Sequence, residues 1–242
     1  LEIDIYKRNK TSNNHSATHL LHESLRQIVG KHVSQKGSLV SSKKLRFDYS
    51  SNEQLSLEKQ KKIENLVNYT IRSNIEVEIN QMRLDKALKS GAIALFGEKY
   101  PDKVRVVSMK SKIKNELILT SIELCGGTHV KQTGQIGLFK ILSDISVSSG
   151  VRRIEALTGQ DAHNYVNDKI NCLDEIKNIL KASDDNVIEK IINIKNSSSN
   201  KTKVFNEIKY SNLNVISTKK CKIYFDNLDC HSKDLRNNSD LI

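Results

Sequence analysis

The sequence predicts an α+β domain built on an antiparallel sheet with helices, followed by a helical arm and the start of a small C-terminal α/β domain. Three observations predict it. Apolar residues recur at helical spacing in two long N-terminal segments, they alternate in short segments between and after these, and from Asp161 the spacing turns helical again. The 242 residues suffice for one large or two small cores.

The elements follow in order. Leu1, Ile3 and Ile5 alternate with charged residues, as in a strand, and a chain opening at Leu1 rather than Met reads as a fragment. Asn13 and Asn14 can cap a helix carrying Ala17, Leu20, Leu21, Leu25, Ile28 and Val29, with Gly30 at its end. Residues 37–49 read as a hairpin turning at Ser41-Ser42-Lys43-Lys44. A second helix covers about 55–73, with Ile63, Leu66, Val67, Thr70 and Ile71 on one face. Ile75, Val77 and Ile79 alternate as a strand, and a short helix ends at Gly91. After the loop at Tyr100-Pro101-Asp102, strands are expected near 104–109, 117–124, 137–146 and 151–157. Tyr165, Val166, Ile170, Leu173, Ile176, Ile179 and Leu180 then form a helix, and Ser183 can cap another through Val187, Ile188, Ile191 and Ile192. Asn196 to Asn200 reads as a linker, and 213–226 returns to strand character.

Composition excludes several classes. With 37% hydrophobic and 28% charged residues, no Trp and one Pro, the chain is neither collagen-like nor low-complexity. It lacks an apolar run of about 18 residues and a signal-peptide core, so a cytoplasmic location away from membranes is expected. Lys plus Arg number 39 against 28 Asp plus Glu, a net charge of +11, which makes a polyanionic partner plausible. Four scattered cysteines, Cys125, Cys172, Cys221 and Cys230, do not make a disulfide framework and leave thiolates available for metal. Cys172 reads as packing, and Cys230-His231 lacks partner ligands nearby.

The chemistry concentrates in two half-sites. His15 and His19, four apart on a helix, lie roughly 40° apart on one face, with His22 continuing the stripe. Cys125 and His129 flank Gly126 and Gly127, whose backbone freedom permits a tight turn. Three imidazoles and a thiolate are a borderline-soft set that suits Zn²⁺. Spacing alone leaves an inert Cys and incidental histidines as the alternative, because only the fold can join halves so far apart. Backbone N–H groups of Gly126 and Gly127 are candidate oxyanion donors. Arg152, Arg153, Lys36 and Lys99 are candidate contacts to the phosphates of such a polyanionic partner.

At these residues the sequence resembles the editing domain of the alanyl-tRNA synthetase family. The resemblance is carried by Asn14-His15-Ser16-Ala17-Thr18-His19-Leu20-Leu21-His22, His32-Val33-Ser34-Gln35-Lys36-Gly37-Ser38 and Leu45-Arg46-Phe47-Asp48. It continues in Gly91-Ala92-Ile93-Ala94-Leu95-Phe96-Gly97-Glu98-Lys99-Tyr100, Glu123-Leu124-Cys125-Gly126-Gly127-Thr128-His129 and Gly150-Val151-Arg152-Arg153-Ile154-Glu155-Ala156, spanning about residues 9–158.

The resemblance implies the editing module shared with threonyl-tRNA synthetase over 9–158. It also implies the end of a preceding β-barrel at 1–8, a helical arm at 159–198, and a linker with the truncated start of a C-terminal domain at 199–242, where Lys233-Asp234-Leu235-Arg236 is similar. The implied zinc ligands are His15, His19, Cys125 and His129. Cys125, Gln35 and Thr18 are implied for the catalytic pocket, and Gly126, Gly127, Arg152, Arg153, Lys36 and Lys99 for contact with the substrate or the tRNA acceptor stem. The implied reaction is hydrolysis of tRNA(Ala) mischarged with serine or glycine. ATP would serve only an aminoacylation domain that has no counterpart in these residues. The stretch from Leu180 to Val215 is shorter than the family's arm, which puts dimerisation through the C-terminal region in doubt. A free-standing trans-editing deacylase and an inactive zinc-stabilised tRNA-binding module are the alternative readings.

Overall fold

A computed structural model describes residues 2–94, 99–111, 118–206, 214–217 and 222–225, with side chains to residue 197. The chain forms two compact units, Leu1–Cys172 and Leu173–Ile242.

In the first unit, helix α1 (Ile5–Ile28) begins earlier than the Asn13-Asn14 signal implies. Asp4 is its cap, accepting the Lys7 N–H at 2.9 Å, so Ile5 opens a helix rather than continuing a strand. Asn14 serves tertiary structure instead. Its side chain donates to the Ser41 carbonyl and accepts from the Thr158 hydroxyl, tying α1 to two strand ends.

The hairpin β1 (Gln35–Val40) and β2 (Leu45–Ser50) turns where Ser41 Oγ accepts the N–H groups of Lys43 and Lys44. β2 pairs with β7 (Val151–Thr158), and β7 with β6 (Phe139–Ser148), giving an antiparallel sheet of order β1-β2-β7-β6. A second antiparallel sheet orders β3 (Val77–Arg83), β4 (Lys103–Met109) and β5 (Ser121–Leu124). Helix α2 (Leu57–Arg72), capped by Ser56, is pinned to β6 by reciprocal bonds between the Asn68 amide and the Phe139 backbone. The short α3 (Leu84–Lys89) follows β3.

Leu20, Leu21 and Leu25 of α1 meet Phe47 and Tyr49 of β2, Ile63 and Val67 of α2, Met109 of β4 and Phe139 and Ile154 of the sheet, all buried. Removing such area from water is worth roughly 25 cal/mol per Å², enough to fix which face of α1 turns inward. That rotation also buries His19 and His22 beside the leucines.

Helix α4 (Gly159–Leu180) starts in the first unit and ends in the second. In the second unit, Asn186 accepts the Ser183 N–H and α5 runs Val187–Asn206. The linker expected at Asn196 to Asn200 is therefore helix. Ser197 Oγ donates to the Asn193 carbonyl, satisfying inside the helix a hydroxyl that favours loops when it lacks such a partner. Strands β8 (Asn214–Ser217) and β9 (Lys222–Phe225) pair in the region expected to be strand. Cys221, Cys230-His231 and the Lys233 to Arg236 motif lie outside the described residues. Among the described residues no helix is long and apolar enough to cross a membrane.

Candidate metal centre

Helix α1 and the loop after β5 bring the two half-sites together. One ligand atom from each of His15, His19, Cys125 and His129 lies within 4.8 Å of the others. Cys125 Sγ is 3.4 Å from His15 Nε2 and 3.3 Å from His129 Nε2. The ring centroids of His15 and His129 are 4.3 Å apart, and those of His19 and His129 are 4.9 Å apart. Three imidazoles around one thiol are a donor set that fits Zn²⁺.

The loop that carries Cys125 is clamped on both sides. The Arg105 carbonyl accepts the Cys125 N–H, while Arg105 Nη1 donates to the carbonyls of Cys125 at 2.7 Å and Gly127 at 2.8 Å. The Gly127 N–H points at Cys125 Sγ, 3.4 Å away. That N–H, expected as an oxyanion donor, is thus turned to the sulfur. Of the two glycines, only Gly127 is required by space: a Cβ there would fall on the His15 ring, whereas Gly126 has open space.

The electrostatics differs from donor to donor. Burial raises the Cys125 thiol, but hydrogen bonds from His129, His15 and His19 overcome this and hold it down at about 3. His129 is pushed down to about 4, by burial first and by the His19 and His15 charges after it, so its ring is neutral. Burial also disfavours charge on His19, yet the Glu123 carboxylate and Cys125 outweigh it and lift the group to about 10. Glu123 is held well below the ordinary carboxylate range, because His19 and His22 more than offset its burial.

Residues without an assigned role in the sequence reading orient the ligands. Ser16 Oγ lies 3.1 Å from His129 Nδ1 and accepts the Val130 N–H. Glu123 reaches His19 and His22. Arg105 gave no sequence signal, since its contribution is a contact across about 20 residues. Ser16 adjoins His15, and Glu123 lies two residues before Cys125, so both belong to the motifs that carry the cluster.

The remaining expected residues stand apart from this cluster in their bonding. Thr18, buried on α1, donates its hydroxyl to the Asn14 carbonyl. Gln35 is half-buried at the start of β1, opposite Tyr49. Lys36 and Lys99 are exposed, while Leu95 to Glu98 of the neighbouring motif lie outside the described residues. The two arginines expected at tRNA are engaged within the sheet. Arg152, buried, binds Asp144 through Nε and Nη2, and Arg153 forms a two-pronged pair with Asp48 at 2.7 and 2.8 Å. Asp48 on β2 lies directly opposite Arg153, whereas Asp144 on β6 lies opposite Ile154, two residues along β7 from Arg152, so alternation along β7 sends the two guanidinium groups to different partners.

Residues 104–155, which run from β4 to β7 and include Cys125 and His129, match the family model "Threonyl and Alanyl tRNA synthetase second additional domain". Over 189 residues the chain is 50% identical to the alanine-tRNA ligase of Haemophilus influenzae strain 86-028NP, a match covering 78% of this chain and 21% of that protein. The alanine-tRNA ligase of Pseudomonas fluorescens strain Pf-5 is 51% identical over 190 residues, again 78% and 21%. That of Thermoanaerobacter sp. strain X514 is 44% identical over 216 residues, 89% and 24%. The chain corresponds to a segment of alanyl-tRNA synthetase. It spans between a fifth and a quarter of the length of these relatives. The four-residue cluster joins a pair inside the matched module, Cys125 and His129, to a pair on α1, ahead of it in the chain.

Proposed function

We propose that this segment edits mischarged tRNA, hydrolysing the ester that joins serine or glycine to the 3′ end of tRNA(Ala). The supporting observation is the convergence of His15, His19, Cys125 and His129 in a chain of alanyl-tRNA synthetase type. The need is physical. A pocket sized for alanine cannot strongly reject an isostere that adds a hydroxyl, nor a smaller residue, so a second site must discriminate differently.

His15, His19, Cys125 and His129 would hold a zinc ion. When bound, such an ion would supply a fixed positive charge beside the pocket. Four protein donors make a complete tetrahedral set, so orientation of the attacking water falls to polar groups of the chain. Gln35 lines the pocket in this reading, and Thr18, whose proton is committed to Asn14, offers an acceptor oxygen. The Gly126 N–H is the backbone donor assigned to the developing oxyanion. Lys36 and Lys99, exposed, meet tRNA phosphates. A longer protein bearing this segment would also ligate alanine to tRNA(Ala) with ATP, in the cytoplasm.

The complete ligand set also favours a second reading, a zinc-stabilised tRNA-binding module without hydrolysis. Deacylation of seryl-, glycyl- and alanyl-tRNA(Ala) separates the two. Editing requires that serine and glycine be released faster than alanine, and that Cys125→Ala or a chelator abolish release. Bound tRNA that keeps its serine would leave the binding module.

A further inference from the structure

Glu123 places a carboxylate against His19 of the cluster, and it is 6% exposed. It projects from β5 two residues before Cys125, so the same backbone places a ligand and an acid. Its two oxygens are divided between two imidazoles of α1. Oε2 lies 2.7 Å from His19 Nδ1, and Oε1 accepts from His22 Nδ1 at 3.0 Å. Ser121 Oγ adds a contact to Oε1 at 3.4 Å.

His22 binds no metal in this arrangement. It is 2% exposed, its ring lies 5.3 Å from that of Phe47, and its Nε2 has no hydrogen-bond partner among the described residues. A buried imidazole with an unsatisfied nitrogen costs stability. The bond it does make is to Glu123, and that bond locks the carboxylate in the orientation that presents Oε2 to His19.

We propose that Glu123 is a positioning residue for the metal, fixing His19 with its Nδ1 turned away from the ion and balancing the charge of the loaded site. The inference rests on the reading that the four-residue cluster binds zinc. With Nδ1 facing Glu123, Nε2 is the nitrogen left to ligate. A divalent ion with one thiolate and three neutral imidazoles carries one net positive charge, which the buried carboxylate cancels. Carboxylates behind ligating histidines raise ligand basicity and hold ring orientation, and removing one weakens metal binding about 10- to 100-fold.

The test is Co²⁺ titration of the full chain, followed by the sulfur-to-cobalt charge-transfer band and the d–d bands, with Zn²⁺ affinity read by competition. Glu123→Gln keeps the shape and removes the charge. It is expected to bind Co²⁺ and Zn²⁺ about 10- to 100-fold more weakly and to shift the d–d bands, while the thiolate band persists. His22→Gln, which frees the carboxylate without removing it, is expected to lose less than Glu123→Gln. Unchanged affinity and unchanged bands in Glu123→Gln would overturn the positioning role and leave the metal site standing. Failure of the unsubstituted chain to bind either ion would remove the metal site, and the inference with it. Should Glu123→Gln lack the native far-UV circular dichroism, the comparison passes to Glu123→Asp, whose carboxylate falls a methylene short of His19. Equal affinity there also overturns the proposal, and weaker binding supports it.

Discussion

The imidazole of His15 fills the volume into which a Cβ on Gly127 would project. A glycine is needed there by the approach of a ligand ring, whereas its neighbour Gly126 faces open space. Gly127→Ala is expected to push His15 out of the cluster and weaken Co²⁺ binding by about tenfold or more, the scale of a lost orienting contact. Gly126→Ala is the control and should bind within about twofold of the unsubstituted chain, on the same scale. Equal losses in both variants would show that the turn, and not the His15 contact, sets the requirement.

The low Cys125 thiol carries a pH signature. In chain stripped with a chelator, with Cys172, Cys221 and Cys230 replaced by serine, Cys125 is expected to react with iodoacetamide at a nearly constant rate from pH 8 to pH 5. An ordinary thiol, titrating near about 8.5, slows about tenfold per unit over the lower part of that range. Because the folded value lies near 3, the thiolate persists until strong acid, and the rate should fall only as pH approaches that value. A tenfold drop between pH 7 and pH 6 would contradict the imidazole-held thiolate.

Arg105 fastens the metal loop from both ends, through its carbonyl to the Cys125 N–H and through Nη1 to two carbonyls. Arg105→Met keeps much of the side-chain volume and removes both guanidinium bonds. Each charge-assisted bond is worth about 1.5–3 kcal/mol, and the two share one donor group, so a loss of about 2–3 kcal/mol is expected in urea unfolding. Added Zn²⁺ should recover part of this stability, since an ion held by Cys125 and His129 would restrain the same loop. No change in the unfolding midpoint would show that the clamp is redundant.

Arg152 separates a structural role from a nucleic-acid role. Its guanidinium is buried against Asp144, which also accepts from the Tyr49 hydroxyl and the Leu55 N–H. Arg152→Met leaves Asp144 without its cation and is expected to cost about 3–5 kcal/mol of stability. Arg153→Met breaks a more exposed pair with Asp48 and should cost less, about 1 kcal/mol. A salt-dependent fall in tRNA affinity in either variant, with unchanged unfolding, would return that residue to the tRNA interface.

Much of the fold was readable because its signals are local. Helix α2, the hairpin turning after Val40, and strands β4, β6 and β7 follow from periodicity and turn chemistry within a few residues of each element. The misread elements turn on what a polar side chain binds. Asn14 and Ser197 are residue types that favour caps or loops, and each sits inside a helix because its side chain found another partner. For Asn14 those partners, Ser41 and Thr158, are distant in sequence and leave no trace in a short window. Ser197 bonds within its own helix, and Asp4 caps α1 just ahead of Ile5, so there the residue type allowed either outcome.

The candidate site divides in the same way. By itself the sequence determined the donor types and their pairing, because helical spacing places His15 beside His19 and a glycine turn places Cys125 beside His129. Only the tertiary structure decided that the two pairs face one another across 110 residues. Burial of Leu20, Leu21 and Leu25 sets the rotation of α1, pairing of β5 with β4 sets where the cysteine loop emerges, and both depend on packing over the whole unit. The same packing withdrew Arg152 and Arg153 into the sheet and brought Glu123 and Ser16 behind the ligands. Charge and residue type are properties of a sequence, whereas what a charge faces is a property of the fold.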